Sequence, residues 1–307
     1  MRLANLNGRA VLCIGGQDGG PAAYDIAKAS DGQFGPDLPW VYERWEAFRT
    51  WADTFEPSGA GETIDRSRLG APSPAPRQAL GIGLNYADHA AESGLGTNDG
   101  LPPVFAKFAS SISGPYVTVD LPAAGHTDWE VELVVVIGTT TRRVAEADAW
   151  DYVAGLTVGQ DLSERIGQMQ GVAPQFGLAK SHRGFGPTGP WVITVDELEA
   201  NGCSRDDLAL GCAIDGDTVQ DNRTGNLIFP VARLISELSS ILTLYPGDLI
   251  FTGTPAGVGL GCSPQRFLRP GERLRSWIEG VGEIEQDFID ASNSTENADD
   301  AATVGAR

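Results

Sequence analysis

The sequence is poor in the residues from which several functional classes are built. Four cysteines, at 13, 203, 212 and 262, stand among 307 residues with no CxxC pair. Neither a disulfide framework nor a zinc knuckle is therefore expected. Three histidines, His89, His126 and His182, are too few for a multi-histidine metal site. Apolar runs are short. The longest, Leu133 to Ile137, is far below a membrane span. The opening MRLANLNGRAVLC has no sustained apolar core, so no signal peptide is expected and the chain reads as cytoplasmic. Cations are scarce as well: Lys and Arg total 22 against 41 Asp and Glu, a formal net charge of -19. That balance argues against nucleic acid or an anionic membrane as partner, and leaves a small anionic substrate open wherever the local field inverts. No GxxxxGK[ST] and no GxSxG occurs. The one GxGxxG match, Gly184 to Gly189, contains Pro187 and runs into PWVIT, a strand, rather than into a helix. It fails as a dinucleotide fingerprint, so no organic cofactor is expected.

What remains is a folded, turn-rich chain. Hydrophobic residues are 41% and charged residues 21%, while 39 Gly and 19 Pro are too many for a helical bundle. Arg2–Leu6 and Arg9–Ile14 flank Asn7-Gly8, a hairpin turn signal. LPWVYERWEAFRTWADTF places Val41, Trp45, Phe48, Trp51 and Phe55 on one helical face. The proline-rich APSPAPRQ follows. The expected organisation is a small domain over 1–70, a linker over 71–79, a catalytic domain over 80–290 and a disordered tail over 291–307. Strands are expected at Leu80–Leu84, Val131–Ile137, Ala154–Val158, Trp191–Thr194, Leu208–Ile214 and Leu249–Thr252, and helices at Asp161–Gln170 and Pro230–Leu242. The fold class is mixed α/β and β-rich.

Three segments carry chemistry. In DWEVELVVVIG, Glu130 and Glu132 stand two apart on a strand and share a face. Two carboxylates opening a buried strand are costly unless neutralised, and a hard divalent cation (Mg²⁺, Mn²⁺ or Ca²⁺) does so. The bland alternative is a strand end that fans both into solvent. In VGQDLSERIGQMQ, Asp161 can complete a three-carboxylate site, with Arg165 and Gln168 above it at helical spacing. Here the alternative is that Asp161 caps a helix and Arg165 pairs at the surface. In GLNYADHAAESG, His89 and Glu92 are neighbours on a short helix, the pattern of a carboxylate-oriented general base acting on water. An exposed helical ion pair would look the same.

GLNYADHAAE, VFAKFASSISGP, DWEVELVVVIG, VGQDLSERIGQ, LAKSHRGFGPTGPWVIT and LYPGDLIFTGTPAGVG occur in an order that resembles the fumarylacetoacetate hydrolase family over about 80–290. The amino-terminal part is similar to that of longer bacterial diketo-acid hydrolases and acylpyruvase-like members. The resemblance implies a β-roll-type catalytic domain behind a small N-terminal domain, a homodimer, and Mg²⁺ or Mn²⁺. It implies Glu130, Glu132 and Asp161 as metal ligands, with Lys180 beside them. Tyr86, Arg165, Gln168 and Thr254 would hold substrate. His89 and Glu92 would activate water from a lid, here over 86–100. Where such members usually read Ser-Ala-Arg-Asp, this chain has Ser163-Glu164-Arg165-Ile166. The implied activity is metal-dependent hydrolysis of a C–C bond in a 2,4-dioxo acid, an acylpyruvate or a sugar-derived diketo acid, through an enolate. Oxaloacetate-type decarboxylation and keto–enol or dienoate isomerisation are the nearest alternatives, and a non-catalytic metal-binding scaffold is the remote one.

Overall fold

Asn7 and Gly8 have φ of 53° and 76°, the positive values that a two-residue hairpin turn requires. They join strands Arg2–Leu6 and Arg9–Ile14 in the register Leu6↔Arg9. The computed structural model, which describes residues 1–15, 20–92, 100–173 and 175–291, builds a twelve-stranded sheet outward from this hairpin. On one side come Ala22–Asp25 and Glu62–Thr63. On the other side the order is Gly186–Ile193, Val153–Gln160, Val131–Ile137, Leu249–Phe251, Ala79–Ile82 and Val104–Lys107. The first 70 residues, expected as a small domain, thus continue the same sheet as the rest of the chain through the pair Arg2↔Ile193.

The strand Val131–Ile137 is central and fully buried on both faces. Leu133 and Val135 pack into one core with Leu156, Leu210 and Ile284, whereas Val134 and Val136 pack into a second with Leu3, Val41, Phe48 and Phe251. A strand covered on both faces reads as a continuous apolar run, which explains VELVVVI. The first core is closed by a five-stranded sheet, in the order Asp217–Arg223, Ala209–Ile214, Arg273–Ile278, Gly282–Asp290, Tyr116–Leu121. The amphipathic helix Val231–Ile241 also packs there through Leu234, Ile235 and Leu238. No helix among the described residues is long and apolar enough to cross a membrane.

Two expected helices differ. The aromatic segment forms Leu38–Glu43 and Trp45–Ala52, broken at Arg44, where φ is -121° and ψ is 33°. The Arg44 guanidinium donates to the Gln33 carbonyl and lies over the Phe34 and Trp40 rings, and these contacts hold the break. The helix expected at Asp161–Gln170 shrinks to Arg165–Gln168. Ser163–Glu164 pairs instead with Thr127–Asp128. Glu164, not Asp161, caps the helix, accepting from the Ile166 and Gly167 amides. Asp161, Arg165 and Gln168 therefore do not share one helical face.

Candidate metal and acid-binding site

Strand register assembles the carboxylates. Val131 pairs with Gln160, and the next amide, of Asp161, donates to the Glu130 carbonyl at 2.9 Å. The Gln160 side chain accepts from the Glu130 amide at 2.8 Å and so locks the junction. One oxygen from each of Glu130, Glu132 and Asp161 lies within 4.8 Å of the other two, and all three residues are buried.

Three cations enter the cluster. Lys180 Nζ donates to Glu130 at 2.7 Å and to Asp161 at 2.6 Å. Lys107 Nζ donates to the other Asp161 oxygen at 2.5 Å and to the Lys180 carbonyl. Arg165 donates through Nη2 to Glu130 at 2.7 Å, through Nε to Asp128 at 2.8 Å and through Nη1 to the Gln168 side chain at 2.9 Å. Asp128 in turn accepts from the Gly259 and Leu260 amides at 2.6 and 2.9 Å, and ties that loop to the site. The formal count is four carboxylates (Asp128, Glu130, Glu132, Asp161) against three cations (Lys107, Arg165, Lys180).

The uncompensated charge falls on Glu132. Its carboxylate accepts from the Gly253 amide at 2.7 Å. Gly253 has φ of +100°, and a Cβ there would sit 2.7 Å from that of Asn85, so glycine is required. Burial, then the Asp161 and Glu130 carboxylates, push the Glu132 carboxyl well above the ordinary range. Glu130 goes the other way: burial would raise it, but Lys180 and Arg165 outweigh burial and hold it at about 2. Burial lowers the Lys107 ammonium despite Asp161, whereas in Lys180 the attraction of Asp161 and Glu130 outweighs burial and raises it.

A divalent cation fits this donor set. Three hard oxygen donors converge, and among the described residues Glu132 has no direct ion pair. These oxygens already lie within 4.8 Å of one another, and hard oxygen donors of this kind suit Mg²⁺ or Mn²⁺.

Beside the cluster is a cavity of about 190 Å³. His89, Glu130, Arg165, Gln168, Lys180 and Thr254 line it. Glu132 and Asp161 are not among the lining residues. His89 sits on the helix Ala87–Glu92, with Nδ1 3.4 Å from the Glu92 carboxylate. Glu92 is itself held, accepting from the Gly257 amide at 3.2 Å. A Cβ at Gly261 would lie 2.2 Å from Glu92, so that turn is shaped around the carboxylate. Thr254 Oγ1 donates to the Val131 carbonyl and accepts from Gln220, which fixes its place at the rim. Tyr86 is fully buried and does not line the cavity. Its hydroxyl has no hydrogen-bond partner among the described residues, and burial, with Glu132, raises the phenol. The expected lid over 86–100 is described only in part, since 93–99 lie outside the described residues.

Sequence reasoning missed Lys107, Asp128, Gln160 and Gln220. Lys107, Asp128 and Gln160 end their strands at the site, and Gln220 lies in the middle of Asp217–Arg223. For Lys107 and Gln160 the available signal was a polar residue ending an apolar stretch, which reads first as a solvent face; Asp128 and Gln220 stand among polar neighbours and gave none.

A buried carboxylate–ammonium cluster beside a histidine-bearing cavity defines the class: a β-rich protein whose acidic triad could hold a divalent cation. The chain belongs to the fumarylacetoacetate hydrolase family, since residues 78–289 match the sequence model of the fumarylacetoacetate (FAA) hydrolase C-terminal region. A Mycobacterium smegmatis structure, described provisionally as an HpcE protein, is 53% identical with a TM-score of 0.88, over 95% of this chain and 100% of that one. Maleylpyruvate hydrolase from Sphingobium sp. SYK-6, solved with manganese(II) and pyruvate, is 29% identical with a TM-score of 0.74, over 94% and 99% of the chains. A 2-hydroxyhepta-2,4-diene-1,7-dioate isomerase from Mycobacterium marinum is 29% identical with a TM-score of 0.71, over 94% and 98%. The fold is that of the family, and its members similar to this chain include hydrolases and isomerases alike.

Proposed function

We propose that the protein is a cation-dependent enzyme that hydrolyses the C–C bond of a 2,4-dioxo acid. One observation carries this: the His89–Glu92 pair and the charge-offset cluster of Glu130, Arg165 and Lys180 meet at a single small cavity. Glu130, Glu132 and Asp161 would hold the cation. When bound, Mg²⁺ or Mn²⁺ supplies Lewis-acid polarisation of an oxo acid and offsets developing negative charge. Arg165 and Gln168 orient the substrate carboxylate. His89 removes a proton from water, with its ring steadied by Glu92, and the water attacks the 4-oxo carbon. The bond from C3 to C4 then breaks, its electron pair passing to the pyruvate fragment as an enolate. Lys180 stabilises that charge in a site where little water competes. Protonation at C3 gives pyruvate, and the other product is the acid derived from C4.

A second reading, dienoate isomerisation, is favoured by the likeness to the M. marinum isomerase. It uses the same enolate stabilisation but moves a proton instead of adding water. The test is turnover of an acylpyruvate by chelator-treated protein. Activity should vanish and return with Mg²⁺ or Mn²⁺. Isomerisation of a dienoate without acylpyruvate cleavage would move the second reading ahead, and full activity without any cation would overturn both. The proposal includes a homodimer, for which the solution mass should be twice the 32.4 kDa of the chain.

A further inference from the structure

Of the seven residues in the strand Asp217–Arg223, one is buried, and it is polar: Gln220, 2% exposed. A position buried for packing alone would cost less as an apolar side chain. Gln220 reaches out of its own five-stranded sheet to the strand that carries the acidic pair. Its Oε1 accepts from the Val131 amide at 3.0 Å and from the Cys212 thiol at 3.2 Å. Its Nε2 donates to Thr254 Oγ1 and to the Pro255 carbonyl, both at 2.8 Å. A side-chain amide has two lone pairs and two protons, and here all four are used. The Val131 N–H demands an acceptor and the Pro255 carbonyl a donor, so the amide can face only one way.

Val131 stands between Glu130 and Glu132, so the peptide that Gln220 holds sets the direction of both carboxylates. Thr254 donates onward to the Val131 carbonyl at 2.9 Å, which closes a ring from the Val131 amide through Gln220 and Thr254 back to the same residue. Thr254 and Glu130 both line the cavity. Resting on the reading that Glu130, Glu132 and Asp161 hold a cation, we infer that Gln220 is a positioning residue that couples that cation site to the cavity wall at Thr254. It touches neither ion nor acid. It keeps one peptide and one hydroxyl in fixed relation, so the carboxylates and the wall hold a single register.

The test measures Mn²⁺ affinity from the free-ion electron paramagnetic resonance signal, and pyruvate affinity by calorimetry on Mn²⁺-saturated protein. Gln220→Met keeps the length and removes all four bonds. Its Kd for Mn²⁺ should rise about 10–100-fold, the usual cost of losing a group that orients metal ligands. Thr254→Val removes the hydroxyl but leaves Gln220 on the Val131 amide. It should weaken pyruvate and leave Mn²⁺ affinity as in the parent. The pyruvate losses of the two variants should not add in the double variant, because one ring serves both. Thr157→Val is the control for simple destabilisation: Thr157 is buried and donates to the Gly189 carbonyl at 3.1 Å, away from the site. It should lower Tm without moving the Mn²⁺ Kd. A Gln220→Met protein with lowered Tm and parental Mn²⁺ affinity overturns the inference, as do additive pyruvate losses. If Gln220→Met does not fold, Gln220→Asn, which keeps the amide one methylene short of Val131, should weaken Mn²⁺ in the same direction. A folded Asn variant with parental affinity overturns the inference equally. These failures leave the cation reading standing. A parent protein that binds no Mn²⁺ removes that reading and the inference with it.

Discussion

His89 and Lys180 reach one cavity from different segments, so their removal should damage different steps. His89→Ala removes the base but leaves Arg165, Gln168 and Lys180 to bind the acid. Its kcat for an acylpyruvate should fall about 10²–10⁴-fold with KM little changed. Lys180→Met should lower kcat for acylpyruvate and oxaloacetate alike, because both pass through an enolate. Should His89→Ala leave acylpyruvate turnover intact, water attack does not depend on it. Glu132 offers a sharper trial of the cation site. It is buried, and burial and like charges raise its carboxyl. Glu132→Gln should therefore stabilise the metal-free protein by about 1–3 kcal/mol, the scale of an under-satisfied buried polar group. It should also shrink the rise in Tm that Mg²⁺ or Mn²⁺ gives the parent protein. A Tm gain equal to the parent's would remove Glu132 from the ligand set. At this scale the sequence was readable where a period or a spacing aligned residues. Glu130 and Glu132 share a face because strands alternate, and His89 and Glu92 share one because helices turn. Lys107 was not readable: nothing local says that a lone lysine in VFAK will reach Asp161, 54 residues later.

The element that sequence reasoning overextended, Arg165–Gln168, shows how little helix the site needs. It holds four residues, and Glu164 caps it. Helical spacing of Asp161, Arg165 and Gln168 suggested a longer helix, but Asp161 is held in place by the sheet junction and Arg165 by Asp128. Tertiary contacts thus overrode a local pattern. Burial would raise the Glu164 carboxyl, but the amides of His126, Gly167 and Ile166 outweigh it and hold it below its ordinary range. A carboxyl lowered in the folded state adds stability above its unfolded value and loses that stability as pH falls through the folded one. Glu164→Gln should cost about 1 kcal/mol at pH 7, the usual worth of a helix cap. The gap to the parent should close as pH drops below about 4.5, in urea melts recorded at each pH. A gap that stays constant with pH would mean that the carboxylate charge plays no part in the cap.

The molecule as a whole is organised around one strand with two covered faces, and this bears on the expected division at residue 70. Composition alone suggested a separable unit, because the aromatic cluster and the proline-rich stretch bracket it. The sheet does not stop there. Arg2 and Leu3 pair with Ile193 and Val192, and Leu3, Val41, Tyr42 and Phe48 cover Val134, Val136 and Phe251. Pairing between residues nearly two hundred positions apart leaves no trace in local sequence, so no period or turn signal could reveal it. The same face of Val131–Ile137 therefore depends on the first segment for its cover, while the strand's start delivers Glu130 to the cavity and Glu132 to the carboxylate cluster beside it. A chain beginning at residue 71 should expose Val134, Val136 and Phe251 to water, lose its cooperative thermal transition and associate through that face. Acid binding should be lost with it, since the carboxylates hang from the exposed strand. Recovery of a monodisperse, cooperatively melting protein from residues 71–307, with oxo-acid affinity kept, would show instead that the first segment is an addition the site does not need.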